Sequence, residues 1–485
     1  MPNAGMTRAF RLWMVAPVVI ACVLLVAGPA SAGKTEQVSV EGKDGYSFFL
    51  YVPDSYSDDN PAGVHMFFNG QGGCANNGSF GQWSKTCDTH NLIGINMQYA
   101  DGDNAKDTGG KIDAAVTALR HVIGKYKIIP GRGMVGSFSG GGLPHGGLQK
   151  KLGGRADNWP FCHTSLYSSN FRLTLRGGTG RMSWLVAVGS DEWGMARLGD
   201  SQGDRAADLF TSAARGGSAD VYFRVTKGKG HSITGGDVQA ADDAFERSDL
   251  AFCGFLYAPD YSEPELKAIV APANRLDLGR AAGLAKKLQE GKDTPAELKA
   301  KAAAIAGKID KRVEQVLAMA GKLAKSDPAL CGFYARGFQK QLRDHPREGE
   351  LRELLTEARK GEKYSSTVKA WERFVRTFAK GRRQAFFPSG SKCQLNPEAV
   401  KFMKQIQDDC VEGGLMHKMA SEFLAMAGGD EKDDESGPKP GNAIESSNGP
   451  TTVPPRRIFD PPRRIGVHPP RREVGMRRSG KSRGE

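Results

Sequence analysis

Between residue 36 and about residue 258, short β-rich runs alternate with amphipathic stretches. YSFFLYVP (46–53), GVHMFFN (63–69), LIGINMQY (92–99), GRGMVGSF (131–138), RMSWLVAVG (181–189) and ADVYFRVTKG (219–228) have the length and composition of strands. Among them, KIDAAVTALRHVIGKY (111–126) sets Ile112, Ala115, Val116, Leu119, Val122 and Ile123 on one helical face. This alternation predicts an α/β domain over 36–258, built on a mainly parallel sheet.

The pattern changes at about 263, where Ala, Lys, Leu, Glu and Arg recur at helical spacing until about 428. TPAELKAKAAAIAGKIDKRVEQVLAMAGKLAK opens with Thr294 as N-cap, Pro295 in the first turn and Glu297 closing a capping box. GELRELLTEARKG and STVKAWERFVRTFAKG follow as further helices. A smaller all-α domain is expected at 263–428, as a structural appendage or a binding module.

Apolar periodicity is lost from 430 to 485, where Gly, Pro, Ser and charge dominate and disorder is expected. PPRR recurs at Pro454, Pro461 and Pro469, which favours extended polyproline II segments carrying paired cations. From Gly437 onward, 11 Lys and Arg stand against four Asp and Glu, so about half of the formal +13 charge belongs to this tail. A basic tail suits contact with an anionic surface, or serves only as a solvated spacer. Nucleic acid is not expected, since no recognition fold or interleaved aromatics accompany the charge.

The first 32 residues read as an export signal: Arg8 and Arg11, an apolar run from Leu12 to Ala27, then small residues at Ala30 and Ala32. Cleavage is expected after Ala32. An uncleaved anchor and a lipoprotein box at Cys22 are the alternatives. The mature chain is thus expected to be secreted, periplasmic or held at the cell envelope, where thiols can pair. Seven of the eight cysteines would remain, and Cys74 with Cys87 is the favoured bridge, against a free buried thiol at either position.

The composition of 39% hydrophobic and 25% charged residues is that of a globular core, and 62 glycines point to many tight turns. One glycine burst carries candidate chemistry. In GMVGSFSGGG (133–142) an apolar run turns abruptly toward a helix, with Ser139 at the corner. Such a strand–turn–helix corner needs small residues two before and two after its serine, here Ser137 and Gly141. Ser137 is the weaker candidate, because β-branched Val135 would then fill one of the small positions.

Two later runs each deliver one polar residue at a strand end: WLVAVGSDEW leads to Asp191, and RVTKGKGHSIT to His231. A serine hydroxyl needs a base to take its proton, and the base needs an acid to fix its tautomer and stabilise its cation. Ser139, Asp191 and His231 fit these roles in chain order, with Glu192 or Asp200 as alternative acids. Oxyanion donors are expected from the Gly140 amide and from the glycine loop NGQGG (69–73), where the Gln71 amide is chosen.

FLYVPDSY, FFNGQGG, KYKIIPGRGMVGSFSGGG, VGSDE and GKGHS together resemble the α/β-hydrolase fold, most of all the secreted esterase branch that includes polyhydroxyalkanoate depolymerases and feruloyl or acetylxylan esterases. Asn69 stands where that family often has histidine, and Ser137 replaces its usual glycine. The resemblance covers 36–258 only. It implies Ser139 as nucleophile, His231 as general acid/base, Asp191 as orienting acid, Gln71 and Gly140 as oxyanion donors, and no metal or organic cofactor. Phe138, Trp159 and Trp193 are near in sequence to the site and are candidates for an acyl or aromatic pocket.

A serine hydrolase acting on small or polymer-linked carboxylic esters, including acyl or feruloyl groups, is therefore expected. A peptidase of the same fold and a catalytically inactive envelope-binding protein are the alternatives. Nothing in the sequence fixes an oligomeric state.

Overall fold

The computed structural model describes residues 33–72, 78–103, 105–152, 160–171, 181–197, 200–379 and 392–427. The expected leader, the tail from 430, Cys74 and Trp159 lie outside the described residues.

Eight strands form one sheet: β1 (Lys34–Ser39), β2 (Tyr46–Val52), β3 (Ala62–Phe68), β4 (Leu92–Tyr99), β5 (Ile128–Phe138), β6 (His163–Tyr167), β7 (Ser183–Gly189) and β8 (Val221–Thr226). Their spatial order is 1-2-4-3-5-6-7-8. β2 runs antiparallel to β1 and β4, and every other neighbour pair is parallel. All residues of β3, β4, β6 and β7 are buried, as strands of a parallel sheet must be when helices cover both faces.

The crossovers supply α1 (Gly78–His90), α2 (Thr108–Lys125), α3 (Gly142–Lys151), α4 (Gln202–Arg215) and α5 (Gly235–Phe252). This is the expected α/β class, an α/β-hydrolase domain with a mainly parallel sheet. In α2 the predicted face is buried at Ala115, Val116, Leu119 and Val122, whereas Ile123 is exposed.

Among the described residues eight further helices follow: α6 (Pro264–Asn274), α7 (Leu278–Glu290), α8 (Ala296–Ser326), α9 (Pro328–Leu342), α10 (Glu348–Lys360), α11 (Tyr364–Thr377), α12 (Pro397–Asp409) and α13 (Leu415–Leu424). α8 starts one residue after its cap at Pro295, with no side-chain cap bond, so the expected Thr294 capping box does not form.

The described helices after residue 263 and the sheet form one compact unit. α6–α10 share a core with Leu250, Ala251 and Leu256 from the end of α5 and the turn after it. Phe374, Phe378, Met403, Ile406, Met419 and Phe423, on and around α11–α13, belong instead to the core of the sheet.

The reason is the open edge at β8. An uncovered edge strand exposes unpaired amides. Here Phe223 N donates to Met419 Sδ at 3.3 Å and Val225 N to Glu422 Oε2 at 3.2 Å. α13 thus closes the edge as a further strand would.

Among the described residues no helix is long and apolar enough to cross a membrane. No cysteine pair among them is disulfide-bonded. Cys87 is buried, its thiol 3.8 Å from His65 Nδ1.

Candidate active site

β5 ends at Phe138, and the chain turns through one 3-10 turn (Ser139–Gly141) into α3. Ser139 has φ +50°, the left-handed region that costs a non-glycine residue roughly 1–3 kcal/mol and is held only by its surroundings. Those surroundings are tight. A Cβ on Gly141 would lie 2.3 Å from the Phe68 carbonyl oxygen, so the second position after the serine admits only glycine. Ser139 O also accepts from Asn170 N at 2.8 Å.

Ser137, two residues before, is fully buried, and its hydroxyl hydrogen-bonds with Ser169 Oγ at 2.8 Å and His145 Nδ1 at 3.0 Å. Burial pushes His145 down to about 3, which keeps this imidazole neutral. Ser137 therefore belongs to the packing behind the corner, and Ser139 is the serine at its apex.

β8 leads into the loop that carries His231, whose side chain is 23% exposed. Its ring lies against Phe138 at a centroid distance of 4.7 Å, which sets it beside the serine corner. His231 Nδ1 hydrogen-bonds to Glu192 Oε2 at 2.5 Å.

Glu192, rather than Asp191, is therefore the acid that the structure brings to the histidine. The cause is local. β7 ends in a single 3-10 turn, Ser190–Glu192, which points its second residue to solvent and its third inward. Asp191 is exposed and accepts from Ser190 Oγ at 3.0 Å. Glu192 is fully buried, and its other oxygen accepts from Gly189 N at 2.9 Å and from Ser168 Oγ. A carboxylate with this many donors is fixed in place and stays ready to stabilise an imidazolium.

The glycine loop after β3 borders the serine from the other side. A Cβ on Gly70 would meet Ser139 Cβ at 3.1 Å and the Phe138 ring at 2.9 Å. Gln71, an expected oxyanion donor, follows Gly70 in the chain, as Gly140 follows Ser139. Gly72 N donates to Gly102 O at 2.9 Å, and the Gln71 side chain hydrogen-bonds Asp103, tying the loop to the turn after β4. Asn69 is buried and donates from Nδ2 to Asn96 Oδ1 at 2.7 Å, so it anchors the loop where the resembled family has histidine.

Among the described residues no hydrogen bond joins Ser139 Oγ to His231. Such contacts are commonly long before substrate is bound. Of the expected pocket aromatics, Phe138 packs its ring against His231. Trp193 packs in the core: it is buried, stacked on Phe223 at 6.1 Å and edge-on to Phe423 at 6.2 Å, with its indole filling the space over Gly203.

No protein-family model and no curated protein matches the chain. Among solved structures the chain is similar to a thermostable esterase, at 14% identity over 45% of this chain and 60% of that one, with a TM-score of 0.31. It is also similar to the Francisella virulence factor BioJ (13% identity, 46% of this chain, 86% of that chain, TM-score 0.33) and to a bacterial heroin esterase (16%, 46%, 87%, 0.33). These likenesses transfer no substrate.

Proposed function

We propose that this protein is a serine hydrolase that cleaves carboxylic esters through an acyl-enzyme. The observation that carries the reading is the constellation at the carboxyl edge of the sheet: a serine held at positive φ on a strand–helix corner, beside a histidine whose Nδ1 is bonded to a fully buried carboxylate. His231 takes the Ser139 proton through Nε2 and returns it to the leaving alcohol, while Glu192 fixes the tautomer and stabilises the cation. The Gln71 and Gly140 amides receive the developing oxyanion. A water then repeats the sequence on the acyl-enzyme, releasing the acid.

Polymer-linked acyl or feruloyl esters are the substrate class in keeping with the resembled esterase branch. Export and retention at an anionic envelope surface through the basic tail rest on the sequence alone. A second reading, a binding protein on an inactive hydrolase scaffold, is favoured by one observation: Ser139 and His231 are not hydrogen-bonded.

The test is fluorophosphonate labelling of the purified protein, with the adduct located by mass spectrometry, beside turnover of short-chain aryl esters. Labelling at Ser139, with label and turnover both lost in Ser139→Ala, is the expected result. A folded protein that neither labels nor turns over establishes the inactive scaffold instead.

A further inference from the structure

The segment that presents His231 is clamped at both ends by one carboxylate. Asp237, fully buried in the first turn of α5, accepts from Lys229 Nζ at 2.8 Å and from Thr234 N at 2.9 Å through the same oxygen. Its N–H in turn donates to Thr234 Oγ. His231 lies between these two anchored residues. On the sheet side, the Lys229 carbonyl accepts from Asp191 N at 3.2 Å and abuts Gly189, where a Cβ would fall 1.9 Å from it. The histidine loop is thereby also keyed to the turn that holds Glu192.

The clamp itself is held from outside the α/β domain. Asp237 Oδ1 accepts from Arg224 Nε at 2.9 Å, and Arg224 Nη1 lies 3.3 Å from Glu422 Oε1 on α13. Glu422 accepts further from Tyr222 Oη at 2.6 Å and from Val225 N at 3.2 Å. A half-buried network of this kind, centred on fully buried Asp237, rigidifies when every member is satisfied, and loosens when one charge is withdrawn.

We propose that Glu422 of the C-terminal helix is a positioning residue for His231, acting through Arg224, Asp237 and Lys229, so that α11–α13 are a working part of the catalytic domain. The inference rests on the serine-hydrolase reading. It assigns the helical extension a role that the motifs around the serine do not require: α13 both caps the β8 edge and places the charge that sets the histidine loop.

The experiment uses the full chain. Glu422→Gln keeps one acceptor, for Val225 N, turns its amide N–H toward the Tyr222 hydroxyl oxygen, which can accept it, and withdraws the charge facing Arg224. The expected result is a fall of about tenfold in kcat on an aryl ester and in the rate of fluorophosphonate labelling, with KM within about twofold, since misplacing a catalytic group costs rate rather than binding. In a His231→Ala background the same substitution is expected to change the residual rate by less than about twofold, because positioning has no object once the histidine is gone.

Wild-type protein that fails to label at Ser139 overturns the hydrolase reading and this inference with it. An active wild type with an equally fast Glu422→Gln variant overturns the inference alone, and so does a Glu422→Gln loss of the same size with and without His231. Should Glu422→Gln fail to fold, Tyr222→Phe, which removes one support of the same carboxylate, replaces it. A smaller loss, again absent without His231, is then expected, and an unchanged rate overturns the inference.

Discussion

The two adjacent carboxylates, Asp191 and Glu192, make opposite predictions. Glu192→Gln keeps the size of the side chain and an acceptor for Gly189 N and Ser168 Oγ. It places an amide N–H where Oε2 now accepts from His231 Nδ1 at 2.5 Å. The imidazole then presents a lone pair to the amide and carries its proton on Nε2, the nitrogen that must accept from Ser139. Holding the wrong tautomer in an otherwise intact site costs about 10⁴ in kcat, or roughly 5.5 kcal/mol of transition-state stabilisation. Asp191→Asn, at an exposed residue whose side chain is bonded only to its neighbouring serine among the described residues, is expected to change kcat/KM by less than about twofold. Aryl-ester kinetics on both variants, with thermal melts to confirm folding, decide between them. A Glu192→Gln variant within about tenfold of wild type, or an Asp191→Asn variant that has lost activity, refutes the assignment of the acid.

Acid is expected to destabilise the protein. Burial pushes His65, His145 and His163 down to about 3 and His90 down to about 4, so between pH 6.5 and those values the unfolded chain binds protons that the native state refuses. Stability from these groups is present above pH 6.5 and lost as pH falls. Asp242 and Glu422 oppose it, since burial raises both to about 6 and their contribution is lost as pH rises through that value. The net difference near pH 5 is about two protons, or roughly 2.7 kcal/mol per pH unit. Urea melts at pH 7, 6 and 5 are expected to show falling midpoints, and a midpoint constant or rising toward pH 5 contradicts the assignment. Trp193→Ala is expected to cost about 3–5 kcal/mol of stability with KM nearly unchanged, as for a core aromatic; a large KM effect in a stable variant would return Trp193 to the substrate pocket.

Much of this protein follows from short-range physical chemistry that a sequence displays. Apolar runs such as Leu92–Tyr99 and Ser183–Gly189 can only be buried strands, and the Ser137–Gly141 burst can only be a tight corner, because nearby backbone leaves no room for larger side chains. β6 was not legible in this way. Its HTSLY sequence looks polar, yet His163 bonds Ser183 Oγ at 2.8 Å through Nδ1 and Ser165 Oγ at 2.6 Å through Nε2, partners supplied partly by the neighbouring strand.

The choice between Asp191 and Glu192 was likewise a tertiary matter. Both carboxylates leave the same strand end, and only the phase of one 3-10 turn decides which of them enters the core. Helical periodicity announced the helices after residue 263 but not their partners, since an apolar stripe records that it is buried and not against what. Tertiary structure gave α6–α10 a core of their own and α11–α13 to the sheet, because β8 had an edge with open amides and α13 carried Met419 and Glu422 at the spacing to meet them.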